Sequence, residues 1–473
     1  MFEGDKNMSR RLLAIAAALL LAGCNVGPAY QRPPDDVPAA FAGRAGTVPV
    51  LPTTPWWLTL NDPVLNGLVE RAQRANPDLG RAQAVIAEAR AALAQAQGGG
   101  SPQLNAGASA SYGRSFTSPN YYSRTAGFST AGFDASWEID LWGRTRRTVE
   151  AAAANAELAE AEADDARLTL LGDVARTYVE LRGTQAAIET NNLTIENQRR
   201  SNELAVRRMA GGDGSRLEIL QGSTLLQQQE AQRPVLRARA QILINALSTL
   251  GGEAPDALTP LLSPPGPIPQ GPLPDPSVPA DLLRRRPDVR AAERQLAAGV
   301  ALIGAAMAER YPSLSLSGTL SVSGSSAANV MAMPVFAFSP SLRVPVLDGG
   351  QREAAVDIRR AQAEQARHAY RTVVLKALRE VEDAMAQVGS LTQYRDQLKQ
   401  TVVTAQRVVD TARSLYSAGA TDFLQVLDAQ RALTQTRDAL AQAEAARTIQ
   451  VVALFKALGG GWQAGPGTAL AAR

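Results

Sequence analysis

Side chains able to do covalent or metal chemistry are scarce in this 473-residue chain: it holds one cysteine, Cys24, and one histidine, His368. One of each excludes disulfide frameworks and Cys/His zinc sites. Lysine is nearly as rare. Lys6, Lys376, Lys399 and Lys456 are the only four, and none follows a glycine-rich turn, which excludes a phosphate-cradling loop. Asp164 and Asp165 are adjacent, and adjacent helical residues point about 100° apart, so they read as a solvated helix face rather than a metal pair. His368 reads as an exposed position on a long helix. Arg284-Arg285-Arg286 reads as a solvated helix start, with a lipid headgroup or a neighbouring chain as the other use. No constellation supports an enzyme, a cofactor or a metal site.

Cys24 has a different chemistry available. Residues 8–24 read MSRRLLAIAAALLLAGC: Arg10 and Arg11, then an apolar run from Leu12 to Ala22. That run is too short to span a bilayer and has the flanks of a secretory signal. Leu21-Ala22-Gly23-Cys24 resembles the bacterial lipobox, where cleavage precedes a cysteine whose sulfur carries diacylglycerol. Asn25 follows instead of the aspartate of inner-membrane retention, which favours the outer membrane. The thioether-linked diacylglycerol and an amide-linked chain together satisfy the two-signal rule for stable anchoring.

The composition is that of a folded chain, 45% hydrophobic and 20% charged. Its 48 basic residues nearly balance 45 acidic ones, a net charge of +3, so charge gives no support for nucleic-acid binding.

The body is duplicated at an offset of 210, drifting to 207. Asn76-Pro77-Asp78-Leu79 matches Arg286-Pro287-Asp288-Val289. Gly143 matches Gly350, Gly212 matches Gly419, Leu220 matches Leu427, and Leu250-Gly251-Gly252 matches Leu458-Gly459-Gly460. The organisation read from this is a signal peptide at 1–23, an anchored N-terminal segment at 24–63, a first repeat at 64–252, a proline-rich linker at 253–279, a second repeat at 280–460 and a tail at 461–473. The ten prolines between Pro255 and Pro279 predict an extended, non-helical linker.

Each repeat predicts the same order of elements. An Ala-rich helix comes first (65–98; 280–309), with a start or kink at Pro77 and Pro287. Two strands with period-two alternation follow (103–112 and 133–141; 313–322 and 335–346), joined by polar turns at 114–125 and 323–329. A proline-free helix comes next (145–209; 352–417), with apolar residues seven apart: Val174, Leu181, Ile188 and Ile195, and Val374, Val381 and Val388. A glycine turn and a helix of about 36 residues end each repeat. The first and last helices together equal the long one, so they stack beside it.

Strands of about ten residues suit a membrane barrel, but four of them leave two open edges, which hydrocarbon does not tolerate. Several chains must therefore close one barrel. Leu314, Leu316, Leu320 and Val322 form one face of their strand against Ser313, Ser315, Ser317, Thr319 and Ser321, and Phe133, Ala135, Trp137 and Ile139 alternate with Asp134, Ser136, Glu138 and Asp140. The polar face suits a wet lumen, and Glu138 and Asp140 read as lumen or barrel-base residues. Trp137 and Trp142 fall where an interfacial aromatic belt or ordinary packing would put them.

The chain resembles the TolC/OprM-type outer membrane factor family, in its lipoprotein (NodT-type) branch. The resemblance rests on Cys24-Asn25-Val26-Gly27-Pro28-Ala29-Tyr30, Trp56-Trp57 with Asp62-Pro63 and Leu65, Asn76-Pro77-Asp78-Leu79, Trp137-Glu138-Ile139-Asp140-Leu141-Trp142-Gly143-Arg144, Leu427-Asp428-Ala429-Gln430-Arg431 and Ala457-Leu458-Gly459-Gly460-Gly461-Trp462. It implies a mainly α fold with membrane β: a trimeric α-helical barrel continuous with a 12-stranded β-barrel. It implies an efflux exit duct in the outer membrane, working with a periplasmic adaptor and an inner-membrane pump of the RND type. It places the periplasmic tip and adaptor contact at Gly212, Leu220, Gly419 and Leu427, and a pore gate at Tyr416 and Asp428. Gln425 and Thr421 stand where some members carry Asp and Arg. Two other functions compete: a duct for type I protein secretion, and a non-conducting periplasmic scaffold lipoprotein.

Overall fold

A computed structural model describes residues 25–34, 38, 55–117, 122–273, 285–324 and 333–460. The signal segment, Cys24, the end of the proline-rich linker and the tail from 461 lie outside the described residues. The chain divides into two compact units, one drawn from 1–34, 84–160 and 291–372, the other from 35–83, 161–290 and 373–473.

After a 3-10 turn at Trp56–Leu60 the first repeat runs α1 (Pro63–Ala75), α2 (Pro77–Gly98), β1 (Gln103–Thr117), β2 (Tyr122–Ile139), α3 (Arg144–Ala210) and α4 (Arg216–Leu250). A short α5 (Thr259–Leu262) precedes the second repeat, α6 (Pro287–Ala308), β3 (Ser313–Gly324), β4 (Met333–Arg343), α7 (Gln351–Ser417) and α8 (Phe423–Ala457). α3 and α7 have 67 residues each, and α4 and α8 have 35 each. Matched lengths in the same order are the structural form of the duplication. α5 corrects the expectation of a non-helical linker: Pro260 sits in its first turn, where a missing N–H costs nothing.

The first unit carries one antiparallel sheet in the order β1-β2-β3-β4. The strands have 15, 18, 12 and 11 residues, so each exceeds the nine or so needed to cross hydrocarbon. β1 and β2 also extend into the span expected to be a polar turn, with Arg114 paired to Thr125 and Thr117 to Tyr122. Ladder hydrogen bonds there satisfy the backbone whatever the side chains are. The register sorts the two faces. Ala106, Phe133, Leu320 and Phe336 lie in one cross-strand row, and Asn105, Asp134, Thr319 and Ala337 lie in the next, on the opposite face. Trp137 donates its indole N–H to the Gly100 carbonyl at 2.9 Å, and Trp142 donates to the Pro312 carbonyl at 2.7 Å while stacking on Tyr311.

The segment after Cys24 is tied to this unit. Val26 N–H donates to the Trp142 carbonyl, Arg147 donates to the Gly27 carbonyl, and the Tyr30 hydroxyl donates to Glu293 at 3.1 Å. Burial, and then the Glu293 carboxylate, push the Tyr30 hydroxyl well above its ordinary range.

The second unit holds the main core. Trp56 stacks on Phe455 within a core cluster that includes Leu65 and Val69 of α1, Val174 and Leu181 of α3, Leu247 of α4 and Val451 of α8. Each buried side chain of this size contributes roughly 1.5–3 kcal/mol. Of the heptad positions, Val174, Leu181, Ile195, Val374, Val381 and Val388 are buried and Ile188 is half-buried.

The duplicated Asn76 and Arg286 close their repeats in the same way. Asn76 caps α2 and donates to the Leu250 carbonyl at the end of α4, and Arg286 donates to the Ala457 carbonyl at the end of α8. Arg286 is therefore buried, not part of a solvated helix start, and it grips Asp288 and Glu380 at 2.7 Å each. The acidic pair on α3 also differs from expectation. Asp164 accepts from Arg290, and Asp165 is half-buried with its carboxyl held above the usual range by burial and by Asp288. These long helices pack on one another, so a face that looks solvated in sequence is a helix–helix seam. His368 is exposed, beside Glu364.

Replacing Arg286 removes one partner each from the Asp288 and Glu380 carboxylates and from the Ala457 carbonyl. Arg286→Ala should cost about 2–3 kcal/mol and lower the thermal midpoint followed by circular dichroism. Arg286→Lys should recover less than half of the loss, because an ammonium cannot match the guanidinium fork. Full recovery by lysine would show that charge alone suffices.

Candidate functional site at the two helical turns

Both long helices end in the same turn. At the end of α3, Gly212 N–H donates to the Met209 carbonyl and Asp213 N–H to that of Arg208. At the end of α7, Gly419 N–H donates to Tyr416 and Ala420 N–H to Leu415. These are Schellman caps, whose C′ residue must be left-handed: φ is 92° at Gly212 and 75° at Gly419. A side chain there would cost about 1–2 kcal/mol.

The next helices start differently. Ser215 caps α4 in a reciprocal box: its hydroxyl accepts from Glu218 N–H, and the Glu218 carboxylate accepts from Ser215 N–H. Asp422 precedes α8 without a side-chain cap.

Glu218 does a second job. Its Oε2 accepts a hydrogen bond from the Tyr416 hydroxyl at 3.1 Å. The Tyr416 ring lies 4.5 Å from the Arg208 guanidinium, and Arg208 donates to the Tyr416 carbonyl at 2.6 Å. Phe423 packs at 5.1 Å on the ring, and Ala205, Leu225, Val426 and Leu427 complete a small apolar cluster. Tyr416 is 1% exposed, and burial and Glu218 push its hydroxyl up to about 12. A cleft of about 800 Å³ opens beside it, walled by Arg208, Glu218, Arg407, Leu415 and Gln425.

Of the residues predicted from sequence, Tyr416 and Leu427 are in this cluster, and Gly212 and Gly419 form the turns. Leu220 is exposed on α4. Asp428 is exposed on α8 and pairs with Arg431 at 2.8 Å, so it and Tyr416 take different partners within the chain. Cys24 lies outside the described residues. Arg208 and Glu218 were not anticipated. Ser215-Arg216-Leu217-Glu218 is a readable capping box, which would have marked Glu218 as fixed in place.

A duplicated helical chain carrying four membrane-length strands defines a class of protein, and comparison with known proteins agrees. The sequence model of the family described as "Outer membrane efflux protein" matches residues 68–253 and 278–460, and the chain belongs to that family. The pyoverdine export outer membrane protein OpmQ of Pseudomonas aeruginosa is 32% identical over 466 residues, covering 96% of this chain and 97% of that one. Nodulation protein T of Rhizobium leguminosarum bv. trifolii is 31% identical over 430 residues, covering 90% and 92%. The solved structure of the outer-membrane channel OprN superposes with a TM-score of 0.87 at 33% identity, covering 93% of this chain and all of that one. The fold is that of an outer membrane efflux channel.

The fold holds the Tyr416 proton past the point where a free tyrosine ionises, about 10. The folded state therefore binds that proton more tightly than the unfolded chain, so stability falls as pH rises from about 10 to 12. Thermal midpoints across that window should fall more steeply for wild type than for Tyr416→Phe. Equal slopes would mean that burial and Glu218 do not hold the proton on the hydroxyl.

Proposed function

We propose that this protein is the outer-membrane exit duct of a tripartite efflux pump. In this reading three copies close one 12-stranded β-barrel, and their helices form one tube in the periplasm. Cys24 carries the lipid anchor, and the tie between residues 26–30 and the first unit holds the anchored segment against the base of the sheet. An adaptor protein meets the turns at Gly212, Leu220, Gly419 and Leu427, and an inner-membrane pump of the RND type supplies the energy. The cargo is small molecules. The export role in the name of OpmQ supports that class of cargo.

The observation that carries the reading is the sheet. It has one apolar and one polar face, strands long enough to span hydrocarbon, and, among the described residues, no partner for the outer edges of β1 and β4. Among the described residues no helix is long and apolar enough to cross a membrane.

The closed state is held by the turn cluster. Tyr416 joins the end of α7 to the start of α4, and Arg208 joins the end of α3 to the end of α7. Opening the duct means separating helix ends that these bonds hold together, and Asp428 stands on the exposed side of α8 beside them.

A deletion strain tests the function. It should accumulate a small amphiphilic dye, with rescue by the wild-type gene and no rescue by a gene lacking both turns. A missing secreted polypeptide with normal dye levels would instead indicate protein export. The gate is tested in planar bilayers. Tyr416→Phe and Asp428→Ala should each raise the leak conductance of the closed channel, and the Tyr416→Phe effect should be reproduced by Glu218→Gln. Unchanged conductance in all three would remove the gate from this place.

A further inference from the structure

We infer that Asp134 gives the β-barrel lumen a preference for cations, as a selectivity-determining carboxylate separate from the helical turns. The inference rests on the duct reading.

The sheet register places Asp134 in the middle of β2, directly opposite Asn105 of β1 and Thr319 of β3, on the polar face. The row is hydrophilic except for Ala337 of β4, and its next neighbours on that face are Ser136 and Gly132. Asp134 is exposed, and no described residue forms an ion pair or hydrogen bond with its carboxylate.

The other two acids of this face are already compensated. Glu138 takes a two-pronged contact from Arg144, at 3.2 and 2.9 Å, and Asp140 accepts from the backbone and side chain of Arg146. Both arginines sit in the first turn of α3, so these pairs belong to the junction of strand and helix. Arg343 also lies on the polar face, in the row of Ser313. Six residues separate Ser313 from Thr319, about 20 Å along the strand. The register puts Arg124 ten residues from Asp134 in the other direction, about 33 Å away. Both distances exceed the Debye length of about 8 Å at physiological ionic strength. Asp134 therefore acts alone at its level.

Three chains place three such carboxylates at one height. A barrel of eight strands is filled by its own side chains and one of sixteen holds a wide channel, so twelve strands enclose a narrow wet lumen. Wall charges at that radius act on an ion at the centre, and a ring of one sign raises the local concentration of counter-ions.

The test is the reversal potential of purified channels in a KCl gradient, at 10 and 100 mM mean salt. An Asp428→Asn background removes the exposed carboxylate of α8. In that background Asp134→Asn should lower the cation-to-anion permeability ratio by about twofold, more at the lower salt, and Asp134→Lys should invert the preference. Ser136→Asn, which adds bulk to the same face without charge, should leave the ratio unchanged. A ratio unmoved by both Asp134 variants in channels that still conduct would overturn this inference and leave the duct reading intact. A parent chain that inserts and never conducts would overturn the duct reading, and this inference with it.

Discussion

The edges of the sheet govern everything else. Each backbone N–H and C=O group left without a partner in hydrocarbon costs several kcal/mol. β1 and β4 each present a full row of them, along 15 and 11 residues. No side-chain substitution removes that cost, and the chain contains no further strand among its described residues. Pairing β4 of one copy with β1 of the next does remove it, and the apolar row of Ala106, Phe133, Leu320 and Phe336 then faces lipid. The helices inherit the symmetry the barrel imposes. Their length, their sparse large side chains and their many glutamines and arginines suit a wall wet on at least one side better than a closed globular core.

Duplication supplies the parts, and divergence between the copies supplies the contacts between the two turns. The two Schellman turns keep the same hydrogen bonds, and Asn76 and Arg286 each reach a carbonyl at the end of the last helix of their repeat by different chemistry. At the turns the copies have become complementary. Met209 is the counterpart of Tyr416, Leu415 of Arg208 and Gln425 of Glu218. One repeat supplies the guanidinium and the carboxylate, and the other supplies the tyrosine between them. Two identical turns would have no such pairing to make.

Periodicity and punctuation made much of this legible in the sequence. The long helices show as proline-free spans with Val174, Leu181, Ile188 and Ile195 seven apart, the strands as strict alternation around Leu316 and Phe133, and the turns as duplicated glycines. These are signals of backbone geometry and of one-sided burial, which a linear pattern records directly. Charged residues were read less well. Arg286 and Asp165 looked solvated because their runs are polar, yet neighbouring helices bury Arg286 and half-bury Asp165. Glu218 and Arg208 were missed because their roles depend on Tyr416, about two hundred residues away. A linear pattern carries no record of which helix ends meet.

On the proposed reading of the turn cluster as the gate, its strength is about what a reversible gate should have. A hydrogen bond to a carboxylate is worth about 1.5–3 kcal/mol and a partly exposed cation–π contact about 0.5–2 kcal/mol. One chain's cluster thus holds its helix ends by a few kcal/mol, too little to keep a duct shut against thermal motion in every copy. Three chains opening together multiply that several-fold. Moving a two-state equilibrium from 1:99 to 99:1 takes about 5.5 kcal/mol of differential binding. A partner that contacts all three pairs of turns needs only about 2 kcal/mol per chain to do so. Competition for a single acceptor such as Glu218 supplies energy of that size, because its carboxylate already serves both the helix cap and the tyrosine. Whatever draws it away releases Tyr416 and frays the start of α4 in the same step.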